Sequence, residues 1–167
     1  MQPHTLSLTS HRTVRYFDII DPRPSTVGTS LLKARTILGQ VALEQTHTTG
    51  RAGQFSERCT NLGPFQPRVE PKVHLGSLKG AIHYFKSLHS VPEKIDLLIA
   101  ENPKWEIYST FDVLIGGDSA GWVQHILRNG SSTYLAQCDV TKARNVELAQ
   151  HHPNLSLAVE AQIASSV

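Results

Sequence analysis

The sequence has little charge and no excess of either sign. Asp, Glu, Lys and Arg make up 18% of its 167 residues, with 16 bases against 14 acids and a net charge of +2. That excludes the broad basic field by which dedicated nucleic-acid binders attract a polyanion. No apolar run approaches the ~20 residues that a membrane-spanning helix needs. Cysteine is scarce: Cys59 and Cys138 stand far apart and outside any CxxC pair. One disulfide is conceivable, but two thiols in a reducing compartment are the expectation. Met1–Ser10 lacks the basic start and apolar stretch of a secretory signal. The expectation is a soluble, cytoplasmic protein with neither a membrane nor a nucleic-acid partner.

What the chain does have is apolar content. Hydrophobic residues reach 40%, too many for general disorder and enough for a core at this length. Thr13–Ile20, T-V-R-Y-F-D-I-I, reads as a strand ended by Pro22–Pro24. Val27, Leu31, Ala34, Leu38, Val41 and Ala42 recur at three- and four-residue steps, the stripe of a helix capped at Ser25 or Thr26 and weakened at Gly39. Residues 45–72 hold several glycines and prolines and no period, and read as a long irregular loop or lid. Ser77 caps a helix with the stripe Leu78, Ala81, Ile82, Phe85 and Leu88. Val73–Leu75, Ile95–Ala100, Val113–Gly116, Thr133–Cys138 and Leu155–Val159 read as short strands. Lys104–Phe111 reads as a short helix or turn, and Gly121–Asn129 and Thr141–His151 as helices. Short apolar strands alternating with helices predict a single α/β domain over residues 1–167. Its expected form is a three-layer, Rossmann-like, mostly parallel sheet with helices on both faces.

The segment Asp112–Gly121, D-V-L-I-G-G-D-S-A-G, then becomes the candidate site. In a parallel sheet, ligands sit beyond the carboxyl ends of strands. Glycines allow close backbone approach, and the free amides of a following helix suit an anion. Gly116, Gly117, Asp118, Ser119, Ala120 and Gly121 are therefore the expected ligand-binding residues, for a nucleotide or phosphorylated metabolite. Asp118 would take a hydroxyl, and Arg51 or Arg58 would close from the loop. The alternative for the same residues is a tight turn capped by Asp118 or Ser119.

Gly117-Asp118-Ser119-Ala120-Gly121 also fits G-x-S-x-G. It resembles the nucleophile elbow of the hormone-sensitive-lipase-like esterases. The resemblance implies Ser119 as nucleophile, with acid and base drawn from Asp139, Glu147, His151 or His152. His74, at the end of its strand, is a further candidate acid–base residue facing the same sheet edge. More broadly, Phe111–Ala136 resembles the strand–turn–helix–strand of the nucleotide-sugar half of two-domain glycosyltransferases, and a similar rhythm occurs in small iron–molybdenum-cofactor-binding domains. The nine histidines show no metal-ligand spacing, so no metal is implied and any cofactor is left unknown. A third reading is a non-enzymatic homodimer or larger homo-oligomer in which residues 45–72 wrap a partner.

Overall fold

The computed structural model describes residues 3–24, 35–49, 54–62 and 76–167. Its strands are β1 (Thr5–Pro24), β2 (Arg35–Thr48), β3 (Gln54–Asn61), β4 (Leu98–Ile115), β5 (Asp118–Arg128), β6 (Ser131–Ala136) and β7 (His151–His152). They form one sheet in the order β3-β2-β1-β4-β5-β6-β7, antiparallel throughout. Three helices, α1 (Leu78–Leu88), α2 (Gln137–Ala143) and α3 (Leu155–Ser165), and a 3-10 turn at Val146–Leu148 complete the described elements.

The parallel, Rossmann-like α/β sheet expected from the alternation of strand and helix patterns is thus overturned. Two dipeptides explain why. Gly116-Gly117 joins β4 to β5 with φ of 59° and 90°, and Asn129-Gly130 joins β5 to β6 with φ of 51° and 86°. Positive φ at both central residues is the signature of the type I′ turn, whose twist matches that of a two-stranded hairpin. Ile115 pairs with Asp118, and Arg128 with Ser131, directly across these turns. The chain therefore folds back on itself where a crossover helix was expected.

Several segment readings change accordingly. Lys104–Phe111 lies within β4, and Gly121–Asn129 becomes most of β5. Thr141–His151 breaks into the end of α2, the 3-10 turn and the start of β7, and Leu155–Val159 opens α3. Asn154 accepts a hydrogen bond from the Leu157 amide at 3.0 Å and starts that helix. Part of the loop expected at 45–72 is strand: β2 runs through Thr48, and Gln54–Asn61 is β3. Of the helix expected over residues 27–42, the part from Arg35 is strand β2, whereas Ser25, Thr26, Val27, Leu31 and Ala34 lie outside the described residues. The strand Val73–Leu75 also lies outside them.

The chain divides into two compact units. One comprises Val14–Gln45 and Glu57–Trp105. Its core joins Phe17 and Ile19 of β1, Leu38, Val41 and Leu43 of β2, and Cys59 of β3 to Ala81 and Phe85 of α1. The helix is as the sequence suggests: Ser77 Oγ accepts from the Gly80 amide at 3.1 Å, and Leu78 and Ile82 pack at the edge of the core. The other unit comprises Met1–Thr13, Thr46–Ser56 and Glu106–Val167. There α3 lays Ala158 and Val159 on the sheet face formed by Val113, Val123 and Ala136. The pairing slips between Asp112 and Leu114, whose partners are Trp122 and Ser119. Val113 of β4 thus stands against two residues of β5, Ala120 and Gly121, a bulge in which Gly121 adopts a φ of 107°. The Gln162 amide of α3 fills the space beside it, donating to the Ala120 carbonyl at 2.8 Å.

Candidate functional site

The segment expected to cradle a ligand is an exposed hairpin tip. Gly116, Gly117, Asp118 and Ser119 are exposed, and no helix follows them. Asp118 is paired with Ile115, the Ala120 carbonyl is taken by Gln162, and the Gly121 amide donates to Ser119 Oγ at 3.3 Å. The free helix amides on which an anion cradle depends are not there. Ser119 Oγ donates to Asp112 Oδ1 at 2.5 Å. The nucleophile elbow needs a helix after its serine, and here β5 continues instead, so the chemical setting for Ser119 as nucleophile is missing. Among the proposed partners, His152 Nε2 and Asp139 Oδ2 meet at 2.6 Å, with both side chains about nine-tenths buried. They serve each other rather than Ser119. His74 and Arg51 lie outside the described residues, and Arg58 is paired with Glu44 at 2.9 Å.

The opposite face of the same strands carries a richer set of groups. Side chains alternate across a strand, so with Val123 against α3, Gln124, Ile126 and Arg128 occupy the other face of β5. Register carries the pattern sideways. Thr110 stands across from Gln124, Tyr108 from Ile126 and Glu106 from Arg128. On β6, Thr133 stands across from Ile126 and Leu135 from Gln124, and His151 of β7 pairs with Leu135. Arg12 of β1 joins them, its guanidinium 4.2 Å from the centre of the Tyr108 ring.

These residues line a cavity of about 410 Å³: Arg12, Tyr108, Gln124, Ile126, Arg128 and His151 from the strands, Val146 and Glu147 from the 3-10 turn. That volume suits a small organic molecule. The floor is hydrogen-bonded. The Tyr108 hydroxyl donates to Glu106 Oε2, and Arg128 Nη2 donates to the same hydroxyl at 3.0 Å. Arg128 Nε lies 3.7 Å from the other Glu106 oxygen. Burial pushes the Tyr108 phenol above its usual range and the Glu106 hydrogen bond adds to it, while Arg128 acts the other way. Gln124 Nε2 donates to Thr110 Oγ1 at 3.2 Å, and the His151 ring Nδ1 is 3.3 Å from Thr133 Oγ1.

Arg12 differs from its neighbours. It is half-buried and lies over Tyr108, yet its guanidinium makes no hydrogen bond or ion pair among the described residues. A stacked guanidinium presents its ring-facing plane to the aromatic and keeps its N–H edge available for a bidentate acceptor. Local sequence reasoning singled out Glu147 and His151 but missed Arg12, Tyr108, Gln124 and Arg128. The usable signal was Asn129-Gly130. As a hairpin turn it pairs Arg128 with Ser131 and puts Gln124, Ile126 and Arg128 on one face. Among the described residues, no group of three His, Cys, Asp or Glu side chains could hold a metal ion, and no helix is long and apolar enough to cross a membrane. Comparison of the chain with protein-family models, curated proteins and solved structures finds no match.

Proposed function

We propose that the protein binds a small anion in the cavity around Arg12. One observation carries this reading: a half-buried guanidinium, stacked on Tyr108, lines a ligand-sized cavity with no protein acceptor for its donors among the described residues. Charge-assisted bonds to a carboxylate or phosphate are among the stronger polar contacts, and arginine's fork matches both. Arg128 adds positive charge, although its donors are shared with Glu106 and Tyr108. This ligand shares only its negative charge with the nucleotide or phosphorylated metabolite expected at the Gly116–Gly121 turn, and its place is the opposite end of the hairpin's pairing, around Thr110, Tyr108 and Glu106. A reducing, cytoplasmic setting belongs to the same reading, since Cys59 and Cys138 are both free thiols.

A thermal-shift series with small carboxylates, inorganic phosphate and sugar phosphates tests it. A binding anion at a hundredfold excess over its dissociation constant adds about 2.7 kcal/mol of apparent stability. Arg12→Gln is expected to remove that gain and leave the unliganded transition cooperative. If no anion raises the transition, or if Arg12→Gln keeps the full rise, the reading is wrong.

A further inference from the structure

The cavity holds a second charged group without a protein partner among the described residues, this one solvent-exposed. Glu147 lines it from the 3-10 turn, where the Asn145 side chain caps the turn by accepting the Glu147 amide at 2.9 Å. The Glu147 carboxylate, like the Arg12 guanidinium, makes no hydrogen bond or ion pair among the described residues, and the two do not pair with each other. Resting on the reading of the Arg12 cavity as an anion site, we infer that the ligand is a zwitterion of the amino-acid class, its carboxylate on Arg12 and its ammonium on Glu147.

Charge counting supports the carboxylate over a phosphate. The charged residues of the lining are Arg12, Arg128 and Glu147. Arg128 is already engaged by Glu106 from the floor. That leaves one free positive and one free negative group, which a singly charged carboxylate and an ammonium neutralise. A phosphate dianion would leave a surplus negative charge beside Glu147. The other lining groups fit the rest of such a molecule. Val146 offers apolar surface for a side chain of moderate size, and Gln124 and the His151 ring offer polar contacts along one side. A plain carboxylic acid would satisfy Arg12 and leave Glu147 without a partner. A plain amine would do the reverse.

Titration calorimetry on the full chain with leucine, isocaproate and isoamylamine separates these cases. Isocaproate is leucine without its ammonium group, and isoamylamine is leucine without its carboxylate. Each charge-assisted contact is expected to contribute about tenfold or more, so leucine should bind at least about tenfold tighter than either fragment. Glu147→Gln should lower leucine to the affinity of isocaproate and leave isocaproate binding no weaker than before. Glu147 is exposed, so this variant is expected to fold, and circular dichroism checks that it has. If isocaproate binds as tightly as leucine, or Glu147→Gln leaves leucine binding intact, the zwitterion inference is overturned while the anion site stands. If neither leucine nor any simple carboxylate or phosphate binds, both fall together.

Discussion

Gly39 shows how a single residue acquires its meaning from a neighbour distant in sequence. A Cβ built there would lie 2.4 Å from Cε1 of Phe85, so the ring of α1 rests directly on the bare backbone of β2. Read locally, the glycine weakens a helix; in the structure it makes room for a core side chain. Gly39→Ala is expected to cost roughly 1–3 kcal/mol through overpacking, measured as a lower urea midpoint. An unchanged midpoint would mean that Phe85 can move aside freely. Cys59, fully buried in the same core, has its thiol pushed up to about 11, foremost by burial and further by Glu57. Thiolate is the reactive form. Iodoacetamide at about pH 8 should therefore alkylate Cys138 in the native protein and reach Cys59 only after denaturation. Equal native rates at the two cysteines would show that the α1 unit opens readily.

At the scale of elements, the hairpins carry the architecture. Asn129 and Gly130 both adopt left-handed backbone geometry, which costs a residue with a Cβ and no local polar compensation about 1–2 kcal/mol. Asn129→Ala is expected to destabilise by about 1 kcal/mol, and Asn129→Val by more. A loss well under this in denaturant titration would mean that the strands, not the turn, hold the register. The turns were legible: Gly-Gly and Asn-Gly are strong hairpin signals. They were obscured because Gly121–Asn129 carries a helical stripe, Val123, Ile126 and Leu127, and lacks the alternation that marks a strand: Trp122 and Ile126 share one face with Gln124 and Arg128. The α3 segment is ambiguous at Leu155–Val159, where a short apolar run suits either state, and the Asn154 cap is the decisive sign. α1 was readable because cap and stripe agree over its whole length.

At the scale of the molecule, two guanidinium–carboxylate pairs set an expected pH dependence. Hydrogen bonds from Arg23 hold the Asp21 carboxyl below its ordinary range, and Arg15 does the same for Glu101. A carboxyl depressed in the folded state stabilises it fully above the unfolded value and loses that contribution as pH falls through the folded one. Urea midpoints should therefore be flat from about pH 7 to pH 5 and decline toward about pH 3. Asp21→Asn should shallow the decline, since Asp21 is buried; Glu101 is exposed and its pair contributes little. An identical decline in the variant would assign the acid sensitivity elsewhere. By itself the sequence determined the local terms: apolar content sufficient for a core, the capped α1, and two glycine-bearing turns. Only the tertiary structure decided that the strands pair antiparallel, and so that Arg12 lies over Tyr108 in the cavity that Arg128, Glu147 and His151 also line. Those residues come from distant parts of the chain. Their meeting depends on sheet order and register, which arise from non-local pairing and leave no periodic trace around any one of them.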